Sequence, residues 1–342
     1  MSVGTRDVTM YMRDATLDDY DQVLALDPHH TIYDGNDYLP AVYRSWLNDP
    51  NKRIKVCVSD SKIVALAASN VVDDGQTLVG MAARVHVNER NSRIWSQMRT
   101  IQPGNIPATA ARLAGISNIE RWQYSKFKAG HMLTAPRFLT TRISQIHQFS
   151  VNGTDDCKHR RACVHKHSST NSSCRALTND ESRKALMNRE NQWRLFPNKR
   201  IVCSVGLVSY RLLESNFRRI VEENTVVATK ISNNSECHSL SFGCGLEVHN
   251  GFQYSVHYYG SHPADDVSDL VHHVMAHLQI AAKQQTKQPL QLRILFSPLM
   301  PRDDVTRALE QVPGHDKCVL ESLPYAVYES DIHLVSELVA KL

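Results

Sequence analysis

No apolar run in the 342 residues approaches the roughly 18–20 needed to cross a bilayer as a helix. The first residues, MSVGTRDVTMYMRDAT, carry no apolar core of the kind a secretory signal needs. The expectation from these two absences is a reducing, cytoplasmic setting with no membrane partner. No pair among the eight cysteines (Cys57, Cys157, Cys163, Cys174, Cys203, Cys237, Cys244 and Cys318) forms a C-x-x-C unit. In that setting they read as free thiols rather than a disulfide framework. The basic residues do not cluster, and the formal net charge is only +4. A nucleic-acid groove is therefore not expected.

What is present is the composition of a globular protein, 42% hydrophobic and 22% charged. The length is generous for one core and comfortable for two. The early chain reads as a strand at 9–13 and a helix opened by Thr16, with Asp18 and Asp19 favouring its N-terminus. A loop rich in aromatic and acidic residues follows, HHTIYDGNDYLP, and Pro40 opens a second helix. Extended runs at 53–58, 63–72 and 77–87 are separated by Ser59-Asp60-Ser61 and by Asp73-Asp74-Gly75-Gln76, both good hairpin turns.

The stretch at 76–95, QTLVGMAARVHVNERNSRIW, organises this half. It reads as a strand, a polar loop and a helix start. Such a connection aims several backbone N–H groups at one point, a geometry suited to phosphate. An ordinary strand–loop–helix link has the same pattern, and both readings stand at this point. Beyond it, Pro103, Gly104 and Pro107 interrupt a helical pattern that resumes at 108–113. Strands are expected at 116–124 and 137–144.

Residues 151–173 are polar, basic and rich in Ser and Asn, and read as a linker. After it the order repeats: a helix at 179–192, a strand at 200–210, strands at 225–231, 239–249 and 251–259, a long amphipathic helix at 265–283, then strand, helix, strand and helix. The class expected is α+β, a mixed, mostly antiparallel sheet flanked by helices, built twice. The divisions expected are an N-terminal domain at 8–150, a linker at 151–176 and a C-terminal α+β domain at 177–342.

Three constellations could carry chemistry. Cys157, His159, Cys163, His165, His167 and Cys174 gather zinc-type ligands, but their spacing fits no standard zinc pattern, so a basic connector is the expectation and no metal is expected. His273 and His277 stand four apart on a helix without the glutamate of a zinc-protease helix, and read as packing or surface residues. The loop from Tyr33 to Tyr38 could cap a helix pair or hold a cationic amine.

The segments Tyr33-Asp-Gly-Asn-Asp37-Tyr38-Leu39-Pro40, Tyr43, Ser45-Trp46-Leu47, Val72-Asp73-Asp74-Gly75, Arg84-Val85 and Glu89-Arg90 resemble the vertebrate histidine N-acetyltransferase family, part of the GNAT acetyltransferase superfamily. The match runs over residues 10–92. It returns in pieces, such as Leu195-Phe196-Pro197 and the segment from Tyr210 to Asn216. The resemblance implies a GNAT fold with a second GNAT-like unit, and acetyl transfer from acetyl-CoA to a small amine or amino acid, L-histidine being the family's substrate. It implies pantetheine pairing along 83–87, including Val85, His86 and Val87. It implies pyrophosphate binding by Arg90, Asn91, Ser92, Arg93 and Ile94, and substrate contact by Tyr33, Asp37 and Tyr38.

The chain also departs from the superfamily pattern. Arg93 and Trp95 stand where a glycine and a small residue belong, and Met81 stands where the family carries a glutamate. Asp37, Asp73 and Asp74 are substitutes for the missing base, with Asp74 the choice. Phe127 falls where a tyrosine protonates the departing thiolate, and Tyr124 lies one helical turn earlier. The alternative expectation is a catalytically degenerate GNAT-fold protein that binds a small molecule or a partner.

Overall fold

The computed structural model describes residues 10–27, 35–90, 94, 112–118, 132–133, 138–146, 174–196, 199–229, 231–260, 267–284, 290–296, 300, 303, 309 and 323–331, as backbone alone at 112–118, 132–133, 138–146 and 323–331. The chain divides into two units. Unit 1 comprises Met1–Gly115 and Glu329–Leu342, and unit 2 comprises Ile116–Tyr328. This differs from the boundaries expected at 150 and 177. The reason is strand pairing: residues 138–146 hydrogen-bond to 290–296 and so join the second unit.

Unit 1 is built on β1 (Met10–Asp14), β2 (Lys52–Ser59), β3 (Lys62–Val72) and β4 (Thr77–Val85), each antiparallel to the next, with β5 (Arg112–Asn118) parallel to β4. The strand at β5 replaces the helix expected to resume at 108–113. The β3–β4 turn holds Asp73, Asp74 and Gly75 at φ 58°, 56° and 82°. Asp and Gly tolerate this left-handed run better than most residues.

Two helices cover the sheet, α1 (Tyr20–Ala25) on β3 and α2 (Leu39–Asn48) on β2. Their buried side chains, Val23, Leu39, Tyr43 and Trp46, recur at helical spacing, which is why the segments fold as amphipathic helices. The Tyr43 hydroxyl donates to the Thr16 carbonyl at 2.7 Å, tying α2 to the start of the first helical turn. A second apolar cluster joins Cys57, Ala65 and Ala67 with Ile94, flanked by Met12, Val64 and Val85.

Unit 2 orders its strands β8 (Cys174–Ala176), β11 (Thr225–Thr229), β12 (Ser239–Val248), β13 (Gly251–Gly260), β14 (Leu290–Phe296) and β7 (Phe138–Ile146), with β15 (Leu323–Asp331) pairing β7 through Leu323–Tyr325. A short β6 (Met132–Leu133) also lies in this unit. The expected helix at 179–192 is two, α3 (Asn179–Met187) and α4 (Arg189–Leu195), because the Asn188 side chain accepts the Asn191 N–H and starts a new helix.

The expected strand at 200–210 is a separate ribbon, β9 (Arg200–Cys203) and β10 (Val208–Arg211). Its turn holds Ser204, Gly206 and Leu207 at positive φ. A further helix, α5 (Glu214–Glu223), was not expected, although Phe217, Ile220 and Val221 recur on its buried face. The long helix α6 (Val267–Gln284) packs Leu270, Val274, Leu278 and Ala281 against Tyr254, Val256, Tyr258, Leu292 and Ile294 of the sheet. Among the described residues no helix is long and apolar enough to cross a membrane.

Candidate functional site

The sheet of unit 1 is irregular at one strand pair. In unit 1, β3 and β4 slip by one residue: Leu66 faces Arg84 while Ala68 faces Met81, so Ala67 faces both Ala82 and Ala83. This is a β-bulge. Ala82 sits at φ 44°, a left-handed conformation. Its small side chain limits the strain, which a β-branched residue would aggravate. The bulge also resets the exposure pattern of β4, with Gly80 and Ala83 exposed and Met81, Ala82 and Arg84 buried.

β5 pairs with β4 only at Thr77, Val79 and Leu78 between them, opposite Arg112–Ala114, although β4 continues to Val85. From Gly80 onward the edge of β4 takes no pairing from β5. An open strand edge carries peptide N–H and C=O groups that an extended ligand can complete.

At the end of β4 the chain enters a short 3-10 turn, Val87–Glu89, where His86 Nδ1 accepts the Asn88 N–H at 3.4 Å. The His86 N–H itself donates to the Val64 carbonyl at 2.9 Å. Arg90 is engaged twice. Its Nε donates to the Val85 carbonyl at 3.3 Å, and its guanidinium pairs with Asp27 at 2.6 Å. Ile94 is 1% exposed, in the apolar cluster against Cys57, Ala65 and Ala67. Its side chain is core, which leaves only its backbone to face a ligand. Val87, by contrast, is exposed.

Asp37 lies just before α2 and is buried. Its Oδ1 accepts the Leu39 N–H at 3.1 Å and a hydrogen bond from the Arg84 guanidinium. Arg84 is buried too, so the two form an enclosed ion pair between the loop before α2 and the strand just past the bulge. Tyr38 lies beside it, its ring centroid 5.8 Å from that of Trp46. The structure thus ties Asp37 to β4 through Arg84, while the ring of Tyr38 packs on Trp46 of α2.

It does not bring Asp74 there. Asp74 is exposed in the turn before β4, and from Thr77, where the strand starts, to Ala82 is already roughly 16 Å at about 3.3 Å per residue. Proton transfer needs contact at about 3 Å or through one water. Asp73, in the same turn, is fully buried. Tyr33, Asn91, Ser92, Arg93, Trp95, Tyr124, Phe127 and the cysteine–histidine segment at 157–167 lie outside the described residues. Among the described residues no cluster of three or more His, Cys, Asp or Glu side chains could hold a metal ion.

Arg84 is the residue that sequence reasoning passed over as a site. The signal was an arginine inside an otherwise apolar strand, where a buried charge requires a partner.

In unit 2 the long hairpin carries no such slip. β12 and β13 run in unbroken register from Ser239 opposite Gly260 to Val248 opposite Gly251. β13 pairs in parallel with β14 from Phe252 to His257. Beneath β12, α6 contributes a buried polar chain. Asp269 accepts from Thr229 and Ser239, at 3.1 and 3.2 Å. Ser239 and Ser241 bridge the two ring nitrogens of His273 at 2.8 and 2.6 Å. Ser241 also meets His277 Nε2 at 2.8 Å, and Tyr254 meets its Nδ1 at 3.2 Å.

Burial drives His277 down to about 3, and burial with the neighbouring His277 and His272 holds His273 well below the usual histidine range. Both imidazoles are neutral at physiological pH. These are packing histidines, one of the two readings the sequence left open.

A mixed sheet whose fourth strand bulges and parts from the fifth, with helices on its face, is the GNAT acetyltransferase fold, here in tandem. The likeness to solved structures agrees. A tandem GNAT protein from the clavulanic acid biosynthesis pathway superposes with a TM-score of 0.54 over 95% of this chain and 99% of its own, at 10% identity. A GCN5-related glucosamine N-acetyltransferase region of a fungal multi-domain β-N-acetylglucosaminidase gives 0.53 over 94% of this chain and 38% of its own, at 11% identity.

In sequence the chain is similar to histidine N-acetyltransferases. Residues 170–292 match the family model "Histidine N-acetyltransferase, C-terminal". The histidine N-acetyltransferase of Oreochromis niloticus is 38% identical over 80 residues, which is 23% of this chain and 23% of that protein. That of Scomber australasicus is 35% identical over the same share of each chain. The aligned stretches thus span about a quarter of these relatives.

Proposed function

We propose that the protein is an N-acetyltransferase that moves the acetyl group of acetyl-CoA to the amino group of a small amine or amino acid, with L-histidine the first acceptor to test. The observation that carries this reading is the bulged β4, whose edge takes no pairing from β5 beyond Val79 among the described residues. That edge fits the extended, amide-bearing arm of CoA, which would run along Val85 at the end of β4 and past His86 and Val87 just beyond it. Backbone N–H groups at the bulge would polarise the thioester carbonyl. The neutral amine attacks the carbonyl carbon, the carbon–sulfur bond breaks, and the amide forms. Water takes the proton the amine sheds, and the departing thiolate takes one from Tyr124, which is the side chain assigned as the acid. Asp74 is left without a role because of its distance from the bulge. The segment from Arg90 to Ile94 would face the pyrophosphate with its backbone, and Tyr33, Asp37 and Tyr38 would contact the acceptor.

A second reading has its own support. Arg90 already spends its guanidinium on Asp27 and the Val85 carbonyl, and Met81 cannot accept a proton. A GNAT-fold protein that binds without catalysis fits both facts. Titration calorimetry with acetyl-CoA separates the readings together with a thiol-release assay on a panel of free amines. Binding with CoA release supports the enzyme. Binding without release for any amine supports the silent protein. No binding by folded protein removes the acetyl-CoA reading altogether. Arg93→Gly with Trp95→Ala should raise acetyl-CoA affinity, and unchanged affinity would place the phosphate loop elsewhere.

A further inference from the structure

Among the described residues of unit 2, three histidines are buried, and only two of them are satisfied. His273 and His277 have a partner at each ring nitrogen. His257 of β13 is 1% exposed, and neither of its nitrogens has a hydrogen-bond partner among the described residues. Tyr254, Val256 and Tyr258 belong to the core beneath α6, so the alternation of the strand puts Ser255, His257 and Tyr259 on the opposite face. The Val202 backbone bears on the ring there, but it already exchanges hydrogen bonds with the Tyr259 hydroxyl, at 2.7 and 3.0 Å. Ser209, opposite Val202 in the β9–β10 ribbon, is also fully buried with its hydroxyl unbonded among the described residues. Native structures leave few such groups, because each costs its lost hydration.

The neighbours decide what would satisfy the imidazole. Ser255 pairs with Arg293 of β14, which sets Arg293 one diagonal step from His257 on the same face. Arg293 is half-buried, so this face reaches solvent at β14. Burial, then the charges of Arg293 and His277, push His257 down to about 3, and the ring is neutral. A neutral imidazole donates at one nitrogen and accepts at the other. A ligand must therefore bring one acceptor and one donor. The positive charge of Arg293 makes an anionic oxygen the favoured acceptor. A metal ion would need more His, Cys, Asp or Glu ligands than the described residues gather.

We propose that unit 2 holds a binding site for a small hydroxycarboxylate at His257 and Arg293. The carboxylate accepts from the guanidinium and from the ring N–H, and the ligand hydroxyl donates to the other ring nitrogen. The site uses no residue of β4 and does not depend on the acetyl-transfer reading.

The test is calorimetric titration of the intact protein with L-lactate at fixed ionic strength. Propionate, which lacks the hydroxyl, and lactamide, which lacks the charge, are the comparisons. Lactate should bind severalfold more tightly than propionate and about tenfold or more tightly than lactamide. No binding of lactate, or equal affinity for lactate and either comparison compound, overturns the proposal. His257→Leu removes both unbonded nitrogens and should abolish lactate binding, and retained binding by the folded variant overturns the proposal. Should that variant not fold, Arg293→Gln answers from a half-buried position with His257 in place. It should weaken lactate binding about tenfold or more, and unchanged affinity overturns the proposal.

Discussion

The imidazole of His277 occupies the space that a methyl group on residue 243 would need. A Cβ built at Gly243 would lie 2.4 Å from His277 Nδ1 and 2.6 Å from the Tyr254 hydroxyl. Glycine at this point of β12 is what lets α6 approach closely enough for its histidines to reach Ser241 and Tyr254. Gly243→Ala should therefore push His277 off both partners and cost roughly 1–3 kcal/mol of unfolding free energy. Urea unfolding followed by tryptophan fluorescence reads this directly, and an unchanged midpoint would mean that the helix shifts freely.

The same histidines set an acid limit on unit 2. His277 is pushed down to about 3 by burial, and burial with its histidine neighbours holds His273 well below the usual histidine range. The ring of His273 faces Ser239, Ser241 and the edge of Tyr258, with His272, His238 and Asp269 nearby. The unfolded chain binds protons at these groups near 6.5 and the folded chain does not. Stability is therefore complete above about pH 6.5 and is lost as pH falls toward 3. At pH 5 each imidazole should cost about 2 kcal/mol relative to pH 7.5. Urea midpoints at the two pH values check this, and equal midpoints would count against neutral burial.

Arg13 and Asp19 should show the opposite type of group. Two hydrogen bonds from Arg13, at 2.6 and 2.7 Å, together with bonds from Thr16, hold Asp19 down at about 2. A depressed carboxyl stabilises the fold above its unfolded value near 3.9 and loses that contribution as pH falls through about 2. Arg13 is partly exposed, so solvent discounts the pair. Asp19→Asn should cost on the order of 1 kcal/mol at pH 7, part of it from the lost capping bond to the Thr16 N–H. The cost should shrink as wild type and variant are compared at lower pH, and a cost independent of pH would assign it to packing.

Ala82 offers a test of the open strand. Ala82→Val places a β-branched side chain at φ 44° and should cost about 1–3 kcal/mol or drive the bulge out of register. Either outcome should weaken acetyl-CoA binding in calorimetry. Ala82→Gly relieves the same strain and should leave binding intact. Equal binding by both variants would detach the bulge from the site.

Much of unit 1 was legible because its periodicities are local. The three strands from 52 to 85, their two turns and α2 follow from alternation, from Asp and Gly at left-handed positions and from proline at the start of a helix. The bulge was not legible, since Ala82 and Ala83 are as ordinary in a strand as any alanine. The turn inside 200–211 was hidden for a similar reason: Val205 and Leu207 continue an apolar run while Gly206 alone marks the reversal. Of the candidate site, Asp37 and Tyr38 were visible in their loop. Their neighbour Arg84 was not, because it meets Asp37 across 47 positions.

The amino-acid sequence by itself determined the class of fold, the doubled order of elements and the kinship that points to acetyl transfer, because these rest on short-range patterns and residue identity. Only the tertiary structure decided that β3 and β4 of unit 1 slip at Ala67 while β12 and β13 of unit 2 keep unbroken register above buried histidines. It also decided that residues 138–146 belong with unit 2, that Asp74 sits in the turn before β4, and that Arg84 meets Asp37. Those facts depend on register and long-range pairing. A shift of one residue along a strand moves every side chain to the other face, and no local pattern records it.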